Sequence, residues 1–219
     1  MTDPNQPSLP GSSIFGLNDR PENSKIVLLT VPFDATTSYG QGAALGPEAI
    51  LKESHQVELW DADVGEPYKH GISWITAPET IASYNRAAHT LVKQARSHQQ
   101  GSSEHASLCR EVDRLCEQVN DWLHKEVISW LKQGKAVGVI GGDHGSIFGS
   151  IKAHHHHYPD MGILHIDAHA DLRVAYEGFR WSHAAIMHNV LEALPLQQLT
   201  QVAIRDLCPQ ELSRIKNSP

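Results

Sequence analysis

Two short segments concentrate the chemistry of this sequence. GGDHG (141–145) directly follows the apolar run Ala136–Ile140 (AVGVI), and DAHAD (167–171) follows GILHI (162–166). In extended chain, alternate side chains share a face, so Asp167, His169 and Asp171 are expected to converge while Ala168 and Ala170 point elsewhere. Two carboxylates and an imidazole in that space repel or stay unpaired without a cation. A divalent ion turns them into a site. Oxygen and nitrogen donors without thiolate suit Mn²⁺, Zn²⁺, Fe²⁺ or Ni²⁺ better than a soft metal. Alone, such a segment also fits a strand end with solvated acids. The paired glycines permit a tight turn that presents His144 from a second strand end. Two strand ends each carrying histidine and aspartate favour the metal reading.

The elements that must deliver these residues can be read from the apolar pattern. Continuous apolar runs mark strands buried on both faces: Lys25–Val31, Ala136–Ile140, Gly162–Ile166 and Gln201–Ile204, with Val57–Trp60 a weaker candidate. Pro47 after Gly46 fits the first position of a helix reaching about Ser54. Leu108, Val112, Leu115, Val119, Leu123, Val127 and Leu131 recur at three-and-four spacing between Ala106 and Gln133, and Gly134 stops that helix. His183–Leu194 reads as a further helix, and the polar stretch SHQQGSSEH (97–105) as an exposed loop. Strands alternating with helices imply an α/β fold with a mainly parallel sheet, whose ligands gather at the strands' C-terminal ends. No repeat or domain linker is evident, so residues 25–219 read as one domain behind a flexible arm over 1–24.

Composition excludes several classes. The chain has 219 residues, 40% hydrophobic and 20% charged, ordinary values for a globular protein. A net charge of −7 argues against nucleic acid as a partner. No apolar run reaches the roughly 20 residues a membrane span needs. The start, MTDPNQPSLPGSSIFG, has neither the basic nor the apolar block of a signal peptide. Three scattered cysteines make no disulfide framework, which points to a reduced, cytoplasmic setting.

GGDHG and HIDAHADL (165–172) resemble the leading signatures of the ureohydrolase family, the arginases, agmatinases and formiminoglutamases. VPFDATTSYGQGAALGPEAI (31–50), the SHA at 182–184 and QVAIRD (201–206) extend the similarity over about residues 25–206. The resemblance implies a three-layer α/β/α fold and hydrolysis of a guanidino or amidino carbon by two Mn²⁺ ions, or Ni²⁺, bridged by hydroxide. It implies that His144 and Asp171 bind one ion, His169 the other, and that Asp167 bridges both and serves catalysis. His183 matches a histidine assigned to proton transfer or substrate orientation. The implied partner is a small guanidino or formimino substrate, and the implied assembly a homo-oligomer.

The chain departs from the family pattern in one respect that matters. Relatives complete the site with a later Asp-x-Asp pair, and after Asp171 only Glu177, Glu192, Asp206 and Glu211 remain as acids. The expectation is therefore a fragment or shortened form that holds one metal well and a second poorly. A catalytically inactive metal-binding or partner-binding remnant is the competing reading, and an unrelated two-metal hydrolase the third. Asp61-Ala62-Asp63 reads as a turn with solvated acids, and His154–His157 as a solvated helix end. Asp143 is expected to support its turn. Arg173, Tyr176 and Glu177 follow the metal motif in a loop that could serve substrate or surface.

Overall fold

The computed structural model describes residues 13–218. Its central strand, β1 (Ile26–Val31), buries Val27, Leu29 and Val31 completely. Burial on that scale follows from a parallel neighbour on each side: Ile26 sits opposite Ile72 of β2 (Ile72–Ile75) and opposite Ala136 of β3 (Ala136–Gly141). Parallel pairing demands crossover connections, and helices supply them. Two further strands, β4 (Ile163–Ile166) and β5 (Leu199–Val202), pair in parallel with Ile163 opposite Leu199.

Helix α1 (Gly46–Glu53) begins with Pro47 in its first turn. Between β2 and β3 run α2 (Glu79–Ser97) and α3 (Ser103–Leu131), the latter opened by the Ser102 hydroxyl, which accepts from the His105 N–H. Ile81, Ala88, Val92 and Ala95 of α2 join Val112, Leu115, Val119, Leu123, Val127 and Leu131 of α3 in one core with β1. Helix α4 (Phe148–His157) crosses α3 closely. A Cβ on Gly149 would lie 2.1 Å from the Asn120 carbonyl oxygen, so only glycine permits that crossing. Helices α5 (Ile186–Ala193) and α6 (Pro209–Lys216) complete the described chain, and Phe148, Leu172, Ile186, Met187 and Val190 form a second core beside β4 and β5.

The α/β fold with parallel strands is the expected one. Its strands, however, fall among the described residues into two sheets, β2-β1-β3 and β4-β5. The outer face of the smaller sheet is bare: Leu164 is 64% exposed and Ile166 70%. The strand expected at Val57–Trp60 does not form. Val57 and Trp60 are exposed, and the chain turns at once, with the Asp63 and Val64 N–H groups donating to Asp61 Oδ1. Its place beside β1 is taken by Ile72–Ile75. The loop expected at 97–105 ends at Ser102, because that residue caps α3. Residues 1–12 of the expected N-terminal arm lie outside the described residues. From residue 13 the chain is packed down, with Ile14 and Leu17 buried and the Phe15 N–H donating to Ser54.

Candidate metal centre

The β3 end is shaped by two glycines that let other segments come close. A Cβ on Gly142 would lie 2.2 Å from the Phe33 carbonyl oxygen, and one on Gly145 would lie 2.7 Å from that of Trp181. The GGDHG turn is thereby wedged between the VPFD segment and the WSHA segment, and backbone bonds from Gly142 to Val31 and Asp143 to Phe33 lock it. His144, opening the short 3-10 helix His144–Ile147, is carried to the mouth of β4. Asp143 turns the other way. It is buried, accepts from the Thr36 hydroxyl at 3.2 Å, and burial pushes its carboxyl up to about 7.

At the β4 end the chain leaves the extended conformation. Asp171 adopts a left-handed backbone (φ 54°), a state that aspartate tolerates better than most residues. Its carbonyl accepts from the Met187 and His188 N–H groups, fastening the start of α5. Its buried carboxylate is brought within 2.7 Å of His144 Nδ1. Asp167 Oδ2 stands 3.6 Å from the same nitrogen and 3.3 Å from His165 Nε2. One donor atom from each of His144, His165, Asp167 and Asp171 lies within 4.8 Å of the other three.

His165 joins three of the expected residues in this inner group, and the fourth, His169, stands at its rim. Its side chain is 59% exposed and lines the neighbouring cavity, with Nδ1 3.5 Å from Asp167 Oδ1 and Nε2 3.8 Å from Asp206 Oδ2. The alternation that was to bring it inward ends with β4 at Ile166. The same alternation read upstream points to His165, which strand pairing holds on the inner face and which the sequence reading passed over. The signal was available in the spacing H-x-D-A-H-A-D. Asp61 and Asp63 remain in their exposed turn and take no part.

The donor set fits a divalent cation. Its N and O atoms match the harder divalent metals, and two carboxylates balance one double charge. His165 Nε2 is buried and makes no hydrogen bond among the described residues. Its other ring nitrogen faces the Gln201 amide at 2.9 Å, and that amide also donates to the Ala170 carbonyl. The contact favours the neutral ring with its proton on Nε2, so coordination through His165 requires the other tautomer, with the proton on Nδ1 and the Gln201 amide moved away. His144 Nδ1, which donates to Asp171 at 2.7 Å, must likewise shed its proton to coordinate, whereas Asp167 and Asp171 need no such change. Burial pushes the Asp167 carboxyl up, but the His169 N–H and the His144 and His165 rings together outweigh it and hold it below the usual range.

A cavity of about 250 Å³ opens beside the group, lined by Ser38, Asp171, Arg173, Tyr176 and His183 among others. His183 begins a short 3-10 helix whose cap, Ser182, accepts from the Ala184 N–H. The preceding segment is pinned from α3: Asp113 accepts the Arg180 and Trp181 N–H groups, and Glu117 accepts the Trp181 indole N–H. Burial holds the His183 imidazole below its ordinary value, so the ring is neutral at pH 7. Arg96 on α2 ties two cavity walls together, donating to the Thr37 carbonyl and to Glu177 Oε2. Arg173 lies over the Tyr176 ring, 5.3 Å from its centre.

Comparison with known proteins adds an independent line. The sequence model of the Arginase family matches residues 24–218. N(1)-aminopropylagmatine ureohydrolase of Synechocystis is 32% identical over 202 residues, covering 90% of this chain and 56% of the relative. The Thermus thermophilus protein of that name is 31% identical over 188 residues, covering 85% and 54%. Among solved structures, agmatine ureohydrolase of Thermoplasma volcanium superposes with a TM-score of 0.65 at 23% identity, over 92% of this chain and 56% of that one. Proclavaminate amidino hydrolase from Streptomyces clavuligerus gives 0.65 at 18% identity, over 94% and 60%. At such identity the structures speak for the fold alone. The chain spans a little over half the length of the curated relatives it matches.

Proposed function

The chain belongs to the arginase family, and from that premise we propose that it hydrolyses a guanidino or amidino C–N bond with a divalent cation held by His144, Asp167 and Asp171. The observation that carries this reading is the convergence of those side chains, with His165, beside a cavity that also presents His183. Guanidinium is a poor electrophile because its charge is delocalised. A bound cation supplies Lewis acidity and a water whose pKa falls from 15.7 to about 7.

The remaining work falls to the chain's own residues. His144 Nδ1 and the Asp171 carboxylate, 2.7 Å apart, present a preformed pair of donors. Asp167 offers one oxygen to this group and turns the other toward His169. His183, whose burial favours the neutral ring, accepts a proton from the attacking water and returns it to the leaving amine. Tyr176, with its ring 6.0 Å from that of His183, walls the substrate channel on the same side. Urea, or the corresponding amide, and a free amine are the products.

A second cation position at the rim is weaker. It has His169, Asp167 Oδ1 and the exposed Asp206. Mn²⁺ is the expected ion and Ni²⁺ the next. The substrate is a small guanidino or formimino compound, and the enzyme is a homo-oligomer in the cytoplasm. In the described residues no helix is long and apolar enough to cross a membrane. The competing reading, a metal-binding remnant without turnover, draws on one observation: the inner group holds only two carboxylates.

The test is release of urea or ammonia from agmatine, N(1)-aminopropylagmatine, arginine, guanidinobutyrate and formiminoglutamate, with and without Mn²⁺. Metal-dependent release from one of these supports the hydrolase. His183→Ala is expected to lower turnover by about 10² while bound metal is unchanged, the usual scale for losing a general acid or base. Turnover that survives exhaustive chelation contradicts the mechanism, and metal binding without turnover selects the remnant.

A further inference from the structure

The run His154–His157 ends α4, and its four members do different things. His154 Nδ1 bonds the Ser150 carbonyl at 2.9 Å. His155 is buried. His157 stands edge-on to Tyr158, ring centres 4.4 Å apart. His156 hydrogen-bonds to another helix: its Nδ1 lies 3.0 Å from Nε2 of His124 on α3, the two rings edge to face.

We propose that His124 and His156 form a transition-metal site of their own, which takes Cu²⁺ or Ni²⁺ and clasps α3 to α4. The proposal shares no residue with the candidate centre at the strand ends. Two ligands in adjacent corners of a square or octahedron, each about 2.1 Å from the ion, stand about 3.0 Å apart, whereas tetrahedral geometry spreads them to about 3.4 Å. The observed 3.0 Å separation is set by the hydrogen bond and stands near the former, so an ion with the preference of Cu²⁺ or Ni²⁺ enters with little movement of either ring. The pair now shares a proton along one hydrogen bond. Binding requires the donor ring to take its other tautomer, which moves that proton to the ring's far nitrogen and leaves a lone pair on each facing nitrogen for the ion.

The backbone, more than the side chains, sets this spacing. At the α3–α4 crossing a Cβ on Gly149 would lie 2.9 Å from the backbone nitrogen of His124 itself and 2.1 Å from the Asn120 carbonyl oxygen. The Gly149 N–H donates to Asn120 Oδ1 across the same contact. His124 therefore stands on the tightest part of the crossing, and His156 follows Gly149 by two turns of α4. Preorganisation of this kind removes much of the ordering cost of chelation. The surrounding charges are mixed. Asp121, one turn before His124, favours a cation; Lys152, one turn before His156, and Lys125 oppose it. Burial, with help from His156 and Lys152, keeps the His124 ring uncharged at neutral pH and its lone pair available.

The test is Cu²⁺ titration of the full chain, followed by calorimetry and by electron paramagnetic resonance, with the unfolding midpoint as a second readout. His156 is exposed, so His156→Ala leaves the packing in place. It is expected to remove one bound equivalent, weakening it at least tenfold, and to abolish that site's rise in midpoint on adding Cu²⁺. His124→Ala should remove the same equivalent, and His157→Ala should remove none. Unchanged Cu²⁺ binding in His156→Ala overturns the proposal. So does retention of that equivalent in His124→Ala, or its equal loss in His157→Ala, since either places the ion within the run instead of between the helices.

Discussion

Asp34 and Asp167 each follow the C-terminal end of a parallel strand, and each is held below the usual carboxylate range against the opposing effect of burial. Their partners differ. Asp34 is saturated: its oxygens take the Gly42 and Ala44 N–H groups, the Asn85 amide and His89 Nε2. Its side chain is 2% exposed, and the ring of donors closes the 38–45 loop over β1. Asp167 accepts one backbone N–H, from His169, and turns its other oxygen toward His144 and His165 beside a second carboxylate. A saturated acid is an anchor. An acid whose neighbours are imidazoles and another acid has room for a cation.

That contrast yields substitutions with opposite signatures. Asp167→Ala is expected to weaken Mn²⁺ binding by 10² or more, beyond the roughly 10–100-fold typical of losing a supporting residue, with little change in unfolding midpoint; calorimetric titration reads the first and thermal melting the second. Asp34→Ala should do the reverse. It leaves the Gly42 and Ala44 N–H groups and the buried Asn85 amide without their acceptor, a loss of about 1–3 kcal/mol in stability, while metal affinity stays within about threefold. Equal effects of the two substitutions on both readouts would erase the distinction.

Asp143 provides a smaller effect with a defined sign. Its folded carboxyl titrates near 7 because it is buried, against an ordinary 3.8. The folded state therefore holds a proton that the unfolded chain releases. Stability from this group is present below pH 3.8 and is lost as pH rises toward 7, by at most about 1.4 kcal/mol per pH unit. Denaturant melts of the metal-free chain between pH 4 and 8 should show the slope, and Asp143→Asn should flatten it.

The smallest effect concerns Arg96, half-exposed and paired with Glu177. Arg96→Ala should cost under about 1 kcal/mol in stability. Amide exchange should nonetheless quicken at both Thr37–Ser38 and Tyr176–Glu177, since one guanidinium holds the two cavity walls. Quickening at only one wall would refute the clamp.

Much of this was written in local patterns. β1, β3, β4, α1 and α3 follow from apolar runs, from Pro47 and from Gly134, which are signals carried by neighbouring residues. The site residues on GGDHG and DAHAD were legible for the same reason. What escaped depends on distant partners. β2 is four residues long and exists because Gly71, at φ 75°, packs its Cα region against Ser24, where a Cβ would lie 2.9 Å from the Ser24 Cα. The approach of Asp171 to His144 depends on a left-handed backbone whose carbonyl is claimed by the start of α5 fifteen or more residues later. Neither is visible in a window of ten residues. The division into two sheets likewise belongs to tertiary packing, and the bare Leu164 and Ile166 are its visible consequence.

The most direct test of the central claim is an Mn²⁺ titration of the 219-residue chain, free manganese being read by electron paramagnetic resonance. One tight equivalent that disappears in Asp171→Asn and persists in Asp34→Ala is the predicted result. No tight binding, or a tight equivalent indifferent to Asp171, would contradict a metal centre at His144, Asp167 and Asp171.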